Sequence, residues 1–196
     1  MAETIADTKQ NGQPAHRPGL QHQMGRQPRS KRPLRRGRRL QGKVALITGG
    51  DSGIGRAVAI AFAQEGAAIA VGYLSEHRDA EETKRLVEAK GGRAITLAGD
   101  IGDPGVCRRL VEDTAAQLGR INILVNNAAE QSPQKRPEAI TPRQLIKTFK
   151  TNVFSMFYLT RAVLPAMGEG DSIINSASVV AFKGHESLLD YSASKG

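Results

Sequence analysis

Tyr191 and Lys195 form a pair whose residue types and spacing suit a chemical step. They lie four positions apart, so on a helix both side chains would project from one face. A phenol with a pKa of about 10 is a poor base at neutral pH unless a nearby cation favours the phenolate. The pair therefore predicts a general acid/base, Tyr191, assisted by the Lys195 ammonium. The alternative is an ordinary tyrosine and lysine on an exposed helix, since the pattern is weak by itself.

A glycine-rich stretch, TGGDSGIG at residues 48–55, lies between two apolar runs. Glycine lets the backbone approach a pyrophosphate closely, and the N-terminus of the following helix offers N–H groups and the positive end of a dipole. We therefore interpret Gly49, Gly53 and Gly55 as a phosphate loop. A tight strand-to-helix turn without a ligand is the alternative that the loop alone leaves open.

Other polar residues precede Tyr191 in positions that suggest a role in a site. Ser178 lies 13 residues before it, at the carboxyl end of a predicted strand, and could donate a hydrogen bond to a reacting oxygen. Ser176 competes for this role because the pleat of a strand would point both serines to one face, but Ser178 is nearer to the end of the strand. Asn152 lies on the apolar side of its predicted helix, where a structural hydrogen bond to the backbone would satisfy it.

Apolar runs and helical patterns alternate through the rest of the chain. Short, nearly continuous apolar segments predict five strands, and longer segments of helix-forming residues predict the helices between them. This alternation indicates a parallel sheet covered on both faces, a doubly wound α/β fold, and right-handed crossovers favour the strand order 3-2-1-4-5. The predicted strands are 43–48, 67–74, 94–101, 121–129 and 171–178, and the predicted helices are 55–66, 79–92, 104–119 and 145–164, the last opened by the capping spacing of Thr141 and Gln144.

The net charge of +9 is concentrated in the first 40 residues. Residues 1–40 contain ten Lys and Arg against two acidic residues, whereas residues 41–196 contain 18 basic and 17 acidic residues. The first segment is rich in Gln, Pro, Gly and Arg and poor in apolar residues, so we predict a disordered basic tail over 1–40. Contact with nucleic acid is the alternative, but the tail lacks interleaved aromatic residues. One folded domain is predicted over 41–196.

The composition excludes several classes of protein. The single cysteine, Cys107, has no partner for an internal disulfide, and its apolar neighbours at helical spacing predict a buried, inert thiol. No apolar run approaches the roughly 20 residues needed to span a membrane, and no secretory signal is recognisable, so we expect a cytoplasmic protein. The histidines, His16, His22, His77 and His185, are scattered without ligand spacing, so no metal site is predicted.

Six motifs, in order along the chain, resemble those of the short-chain dehydrogenase/reductase family. They are Thr48-Gly49-x-x-x-Gly53-x-Gly55, Asp100, NNAA at 126–129, Asn152, Ser178 and Tyr191-x-x-x-Lys195. The resemblance implies a Rossmann-type NAD(P)-binding domain with Asn152, Ser178, Tyr191 and Lys195 as catalytic residues, Asn152 holding a water in a proton relay. The cofactor-binding residues that it implies are Thr48, Gly49, Asp51, Ser52, Gly53, Ile54, Gly55, Tyr73, Asp100, Ile101, Asn127, Ala128 and Ala129, together with Tyr191 and Lys195.

Within the family, the stretch RLQGKVALITGGDSGIGRAVAIAFAQEGA at 39–67 looks most like the glucose/ribitol dehydrogenase-like, general-stress-protein branch. The resemblance implies hydride transfer between NAD(P) and an alcohol or carbonyl, with a sugar or polyol as substrate, in a homo-oligomer. The lack of a long apolar run and the near-neutral charge of residues 41–196 predict neither a membrane nor a nucleic-acid partner. Ala129 stands where the family's usual NNAG has glycine. Because family members continue well beyond this point, the resemblance also implies a domain that is incomplete at its C-terminus. A catalytically inactive dinucleotide-binding fragment is therefore the alternative function.

The sequence does not decide between NAD and NADP as the cofactor. NAD-selective sites place an acidic residue at the end of the second strand, whereas an arginine nearby suits a 2′-phosphate. Here the strand ends in Gly72-Tyr73-Leu74-Ser75, and the next charged residues, Glu76 and Arg78, favour opposite cofactors. Both cofactors stay open at this stage.

Overall fold

A five-stranded parallel sheet forms the centre of the molecule in the computed structural model, which describes residues 38–196. The strands are β1 (Val44–Thr48), β2 (Ala68–Tyr73), β3 (Ala94–Ala98), β4 (Ile123–Asn126) and β5 (Ser172–Asn175). They lie in the order β3-β2-β1-β4-β5, which confirms the predicted order and the doubly wound α/β fold. The predicted disorder of the basic tail lies outside the described residues, apart from residues 38–40.

Helices connect the strands and cover the two faces of the sheet. Each of the first three crossovers contains one helix, as expected for parallel neighbours. The helices are α1 (Gly53–Gln64), α2 (His77–Glu88), α3 (Pro104–Leu118), α4 (Pro142–Phe149), α5 (Ser155–Val163), α6 (Val180–Lys183) and α7 (Leu189–Ala193), with a π-helical turn over Lys150–Phe154 and 3-10 turns at Pro137–Ala139 and Leu164–Ala166.

Two apolar clusters, one on each face of the sheet, form the core. All of β1 is buried because its alternate side chains point to opposite faces and both faces are covered. Ile47 and Val71 pack with residues of α1 and α2, whereas Leu46 and Leu124 pack with residues of α3 and α5. Burying a side chain of this size contributes roughly 1.5–3 kcal/mol relative to leaving it exposed. The carboxyl ends of the central strands are therefore held in place from both sides.

N-cap side chains fix the starts of α3 and α4. Asp103 accepts hydrogen bonds from the amides of Val106 and Gly105, and these bonds lower the pKa of its carboxyl. The Thr141 hydroxyl accepts from the Gln144 amide at 3.1 Å, which confirms the start that the capping spacing predicted. The Gln144 side chain does not complete a reciprocal capping box but extends towards α7.

The structure corrects several predicted boundaries. A single helix over 145–164 is wrong, because the π-helical turn separates α4 from α5. The second helix covers His77–Glu88 and not the predicted 79–92. β3 ends at Ala98, β4 at Asn126 and β5 at Asn175, so each of these strands stops three residues before its predicted end. The reason is visible after β4, where the amides of Asn127 and Ala128 donate to the Thr48 hydroxyl instead of to a neighbouring strand.

The first described residues are attached to the domain at the end of α1. The Arg39 guanidinium pairs with the Glu65 carboxylate at 3.2 Å, and the Leu40 amide donates to the Glu65 carbonyl at 2.9 Å. The Leu40 side chain packs against the cluster that contains Ile47. Residues 39 and 40 thus contact the folded part directly, and the division of the chain at residue 40 stays a prediction.

Asp171 joins three segments just before β5. Its side chain is 1% exposed and accepts hydrogen bonds from the Asn122 side chain at 2.8 Å and the Gly168 amide at 2.9 Å. It also pairs with Arg120 and, at 3.5 Å, with Lys43. These bonds, led by the one from Asn122, hold the pKa of the Asp171 carboxyl well below its usual range.

We expect Asp171→Asn to lower the free energy of unfolding at pH 7, because Arg120 and Lys43 lose their charged partner. A carboxyl whose pKa is depressed by folding stabilises the fold above the pKa of the unfolded state, about 4, and loses that effect as the pH falls further. The difference between the urea midpoints of wild type and variant should therefore shrink below about pH 4. Glu169→Gln, in the exposed turn beside it, is the control for charge removal alone. An equal difference at pH 7 and pH 3 would contradict this assignment.

Candidate active site

The predicted site residues gather at the carboxyl edge of the sheet. The loop after β1, the segment after β4 and the segment after β5 lie next to one another there, because these strands pair in parallel. In open α/β sheets this edge, beside the point where the strand order reverses, is where ligands bind. Here the order reverses at β1, since β2 lies on one side of it and β4 on the other.

The glycines of the 48–55 loop have different physical roles. A side chain on Gly55 would lie 2.0 Å from the Gly49 carbonyl oxygen, so this position has no room for a Cβ. Gly49 has a φ of 61°, and a Cβ added there would lie 3.0 Å from the Cα of Ala128, so backbone conformation and space both require glycine. Gly53 also has a positive φ, 51°, but a Cβ there would meet nothing within 4 Å. The fold requires Gly49 and Gly55, whereas the surface at Gly53 has room for a ligand.

The loop ends at the N-terminus of α1, which begins at Gly53. Ser52 precedes the helix in an extended conformation, makes no side-chain capping bond, and is followed by a first turn without acidic residues. Ile54 in this turn is exposed. A helix start of this kind presents backbone N–H groups and a partial positive charge to an anion. The loop is thus shaped to accept a phosphate group.

Thr48 and Asn127 tie this loop to the end of β4. The Thr48 hydroxyl donates to the Val125 carbonyl at 3.3 Å and accepts from the amides of Asn127 and Ala128, both at 3.1 Å. The Asn127 side-chain amide donates in turn to the carbonyls of Thr48 and Gly49 at 3.1 and 3.2 Å. The predicted residues Thr48, Gly49, Asn127 and Ala128 are therefore brought together, and the side chains of Thr48 and Asn127 are used to fix the backbone.

Asp51 and Arg56 are buried where the loop meets α2. The Arg56 guanidinium donates to the carbonyl oxygens of Asp51 and Asp79, at 2.6 and 2.9 Å, and to the Thr83 hydroxyl at 2.8 Å. Burial raises the pKa of the Asp51 carboxyl to about 6. Because Arg56 is turned inward, it is not presented to a ligand at the loop. The sequence pattern does not predict this role for Arg56.

The side chains predicted near the ends of β2 and β3 are largely engaged within the protein. The Tyr73 hydroxyl lies 2.8 Å from His77 Nδ1, and burial raises the pKa of the Tyr73 phenol. Asp100 is exposed and accepts from the Gly102 amide at 2.8 Å, whereas Ile101 is packed in the core. Their contacts with a cofactor stay predictions. Arg78, one of the two charged residues that follow β2, is exposed.

Lys195 lies at the same edge and contacts the segment after β5. Its Nζ donates to the Ser176 carbonyl at 2.8 Å, and burial lowers the pKa of its ammonium. The Ser176 hydroxyl donates to Asn127 Oδ1 at 3.5 Å, a long bond. A continuous set of contacts thus runs from Lys195 through Ser176 and Asn127 to the glycine loop. The sequence pattern offers Ser176 only as an alternative to Ser178 and does not predict this linking role.

Asn152 is fully buried in the π-helical turn and holds two segments together. Its side chain accepts from the Glu130 amide at 2.7 Å and donates to the Glu130 carbonyl at 2.8 Å. It also donates to the Ser194 hydroxyl at 2.8 Å, and this hydroxyl donates to the Tyr191 carbonyl at 2.8 Å. The expected backbone partner for Asn152 is confirmed. Its part in a water relay stays a prediction.

Ser178 lies beyond β5, so the argument from the pleat of the strand is wrong. The strand ends at Asn175, and the Ser178 hydroxyl accepts from the Val180 amide at 3.4 Å, at the start of α6. Over residues 38–196 no hydrogen bond joins Ser178 to Tyr191, which is partly exposed on α7. Asn152 is thus linked through Ser194 to the backbone of Tyr191, while the catalytic roles of Tyr191, Lys195 and Ser178 stay predictions.

Cys107 is a residue of α3 and is buried in the core. Its Sγ donates to the Ile101 carbonyl at 3.1 Å, and burial raises the pKa of the thiol to about 12, which confirms the predicted burial and leaves little thiolate at neutral pH. Among the described residues, no three His, Cys, Asp or Glu side chains group closely enough to hold a metal ion. No helix in this part of the chain has the length and apolar character needed to cross a membrane.

Comparison with known proteins identifies relatives of this arrangement. The family model described as short chain dehydrogenase matches residues 43–196. General stress protein 39 of Bacillus subtilis (strain 168) is 52% identical over 158 residues, and NADPH-dependent aldehyde reductase 1 of Arabidopsis thaliana is 46% identical over 186 residues. A glucose and ribitol dehydrogenase of Daucus carota is 44% identical over 186 residues. These relatives confirm the predicted branch of the family.

The aligned regions cover much of this chain and a smaller share of each relative. They include 81% of this chain for the stress protein and 91% for the two plant proteins. The chain spans 55% of the length of the stress protein, 65% of the reductase and 64% of the dehydrogenase.

Solved structures share the fold at similar coverage. A short chain dehydrogenase from Burkholderia cenocepacia J2315 in complex with NADP has a TM-score of 0.77 at 35% identity. A blue fluorescent protein from a metagenomic library in complex with NADPH has a TM-score of 0.74 at 36% identity. Each match covers 80% of this chain and 64% of the solved chain.

We expect Gly55→Ala to destabilise the protein far more than Gly53→Ala. The added methyl at position 55 would collide with the Gly49 carbonyl, so the loop must open, at a cost of about 3 kcal/mol or more. At position 53 the methyl meets no atom within 4 Å, and only the positive φ is penalised, by about 1 kcal/mol. Urea unfolding of both variants measures the difference. Equal losses would mean that the close approach of Gly55 to Gly49 is not a constraint on the fold.

Proposed function

Because the chain belongs to the short chain dehydrogenase family, we propose that it binds NAD(H) or NADP(H) and serves hydride transfer between the nicotinamide and an alcohol or carbonyl. The observation that carries this proposal is the set of contacts from the glycine loop through Asn127 and Ser176 to Lys195. It joins a loop shaped for phosphate to the lysine of the predicted acid/base pair. Both parts of the proposed dinucleotide site are thus connected, through side chains that lie after the ends of β4 and β5.

The loop fits the pyrophosphate of a dinucleotide in shape and charge. Room outside Gly53 and the uncapped start of α1 would receive the phosphates, with Thr48 and Asn127 holding the loop in place. The solved relatives described above contain NADP or NADPH, and one plant relative is named NADPH-dependent. With Arg56 turned inward, Arg78 is the arginine nearest in sequence to the end of β2 that is exposed and suited to a 2′-phosphate. Titration with both cofactors decides the preference.

The chemical step requires a proton donor or acceptor beside the nicotinamide. A bound nicotinamide supplies or accepts the hydride. Tyr191 would donate its phenolic proton to the substrate oxygen during reduction and remove a proton from the hydroxyl during oxidation. The Lys195 ammonium has three donors, and Ser176 uses one, so the others can stabilise the phenolate and bind a ribose hydroxyl. Ser178, or Ser176 as the alternative, would donate a hydrogen bond to the substrate oxygen.

A sugar, a polyol or a simple aldehyde is the substrate class we propose. The named activities of two relatives, a glucose and ribitol dehydrogenase and an aldehyde reductase, support it. We also propose a homo-oligomer, because α4 and the segment after it expose the apolar side chains of Ile146, Phe154 and Phe157. The cytoplasmic location and the lack of a nucleic-acid partner stay predictions.

A second candidate function is dinucleotide binding without turnover. It is favoured by the exposure of β5, in which Ile174 is 43% exposed, and of Phe182 in α6. Among residues 38–196, β5 and α6 thus expose apolar side chains to water, whereas hydride transfer is favoured in a site that excludes water. Measuring cofactor binding and turnover on the same protein separates the two functions.

We expect Gly53→Val to abolish most of the affinity for NADPH and NADH, because the branched side chain would occupy the room proposed for the pyrophosphate. Gly91→Val is the matched control, since Gly91 also has a positive φ and a Cβ there would meet no atom within 4 Å, but it follows α2 at the opposite end of the sheet. Fluorescence titration of the reduced cofactors measures binding in both variants. Unchanged affinity in Gly53→Val would remove the loop from the site.

We expect Tyr191→Phe to lower kcat at least about 100-fold while leaving cofactor affinity nearly unchanged, since only the proton-transfer group is lost. Lys195→Ala should weaken both, because the ammonium contacts cofactor as well as phenol in this proposal. Tyr158→Phe, which removes a hydroxyl from α5, is the control and should keep full activity. Absorbance of the reduced nicotinamide with a panel of sugars, polyols and aldehydes measures turnover. A Tyr191→Phe variant that keeps a tenth of the rate would show that another group transfers the proton.

A further inference from the structure

A buried carboxylate connects α7 to α4 directly beside Tyr191. Asp190 is 3% exposed, and its Oδ2 accepts hydrogen bonds from the Thr148 hydroxyl at 2.9 Å and the Gln144 side-chain amide at 3.0 Å. Its Oδ1 accepts from the Tyr191 amide at 2.9 Å. We call Asp190, Thr148 and Gln144 the α4–α7 clamp. All three donors are neutral, and the carboxylate accepts from each of them.

The choice of a carboxylate at this position has a geometric explanation. Over residues 38–196 no Lys, Arg or His side chain lies within salt-bridge distance of Asp190, and a buried charge is costly unless hydrogen bonds satisfy it. An asparagine of the same shape would replace one acceptor oxygen with a donor NH₂ group. One of the present donors would then face another donor. The position therefore requires an all-acceptor side chain.

The clamp extends beyond the two helices to the segment that follows β4. Gln144 Nε2 also donates to the Ser132 carbonyl at 3.0 Å, and its Oε1 accepts from the Gln134 side chain at 2.7 Å. The Gln134 amide donates to the Ser187 carbonyl, two residues before α7 begins. The orientation of α7 is thus fixed against α4 and against the 132–134 segment together.

A second contact repeats this pairing four residues further on, between the π-helical turn after α4 and the residue that follows α7. Thr148 pairs with Asp190, and Asn152 pairs with Ser194, so the spacing is four on both sides. Asp190 directly precedes Tyr191, and Ser194 directly precedes Lys195. Tyr191 and Lys195 therefore each follow a residue that is hydrogen-bonded to α4 or to the π-helical turn after it. Since α7 is only five residues long, its position depends on such tertiary contacts more than on its own helical stability.

We propose that Asp190 is a positioning residue: through the α4–α7 clamp its carboxylate sets the place of the Tyr191 hydroxyl relative to the glycine loop, whereas Lys195 has its own bond to the Ser176 carbonyl. This inference rests on the proposed function in so far as Tyr191 transfers the proton. The loop itself is bound to β1, β4 and α2, so the clamp should affect the chemical step and leave cofactor binding intact. Misplacing a reacting group by about 1 Å can cost on the order of 100-fold in rate.

The test compares Asp190→Asn, Thr148→Val and Thr148→Ser in the full-length protein. Asp190→Asn places a donor against a donor, Thr148→Val removes the hydroxyl at nearly the same volume, and Thr148→Ser keeps it. The first two should lower kcat at least about tenfold with a cofactor Kd within about twofold of wild type, whereas Thr148→Ser should retain activity. Because both changes break one contact, the double variant Asp190→Asn/Thr148→Val should be no worse than Asp190→Asn alone.

A readout that does not depend on turnover accompanies the kinetics. Hydrogen–deuterium exchange in the amides of 189–195 should be at least about tenfold faster in Asp190→Asn, while those of β1 and β2 keep the wild-type rate. Faster exchange throughout the chain, or parallel losses in kcat, cofactor affinity and thermal stability, would reduce Asp190 to a general stabiliser and overturn the proposal. Unchanged kcat and unchanged exchange in 189–195 would overturn it as well.

Failure of the proposed function is distinguishable from failure of the clamp. A wild-type protein that gives no turnover with any substrate overturns the proposed function, and local loosening of 189–195 in Asp190→Asn then still supports the clamp. A wild-type protein that is active, with an Asp190→Asn variant of equal kcat, supports the function and overturns the positioning role.

Discussion

The backbone of the first loop folds back until the carbonyl oxygen of Gly49 fills the space that a side chain on Gly55 would need. This close approach brings the Gly49 carbonyl within reach of the Asn127 side chain, which binds the carbonyls of Thr48 and Gly49 together. Asn127 is thereby fixed at the end of β4, and its Oδ1 accepts a hydrogen bond from the Ser176 hydroxyl. Ser176 in turn holds Lys195 through its carbonyl. The position of a residue near the end of the sequence thus depends on a backbone contact near the start of the domain.

Polar side chains, rather than apolar packing, determine how the elements meet at this edge. The apolar clusters bury the strands and the sheet-facing sides of the helices, but contacts of this kind tolerate small shifts. The buried hydrogen bonds of Thr48, Asn152 and Asp190 each require a partner at one distance and direction. A slip of α7 along α4 would leave a buried carboxylate and a buried amide without partners, which is costly in a low dielectric. The edge is therefore more sharply defined than the core behind it.

The order of the strands could be predicted because each strand is a short apolar run bounded by glycine or by a helix signal, and because right-handed crossovers leave few topologies. The π-helical turn could not, since the residues from 145 to 164 continue a helical pattern, and the partner of Asn152 in that turn, Glu130, is distant in sequence. Arg56 similarly resembles a surface arginine on a helix until α2 folds over it. The sequence extends β5 as far as Ser178 because Ser176-Ala177-Ser178 has no turn residue to mark the end at Asn175. Polar residues at a spacing of four, Thr148 with Asn152 and Asp190 with Ser194, were the one local signal of the contact between helices.

The π-helical turn also limits which changes in length this part of the chain can accept. Its hydrogen bonds span five residues instead of four, so it holds one residue more than an α-helical turn, and a single deletion within 150–154 is absorbed by a return to α-helical geometry. An inserted residue has no such outlet and would rotate everything after the turn by about 100°. Leu159 and Val163, which are buried against the sheet, would swing outward, and Phe157, which is 71% exposed, would turn towards the interior. An insertion in the exposed stretch around Pro137–Ala139 would shift no such register. In related sequences, insertions should therefore cluster before α4 and be absent between α4 and α5.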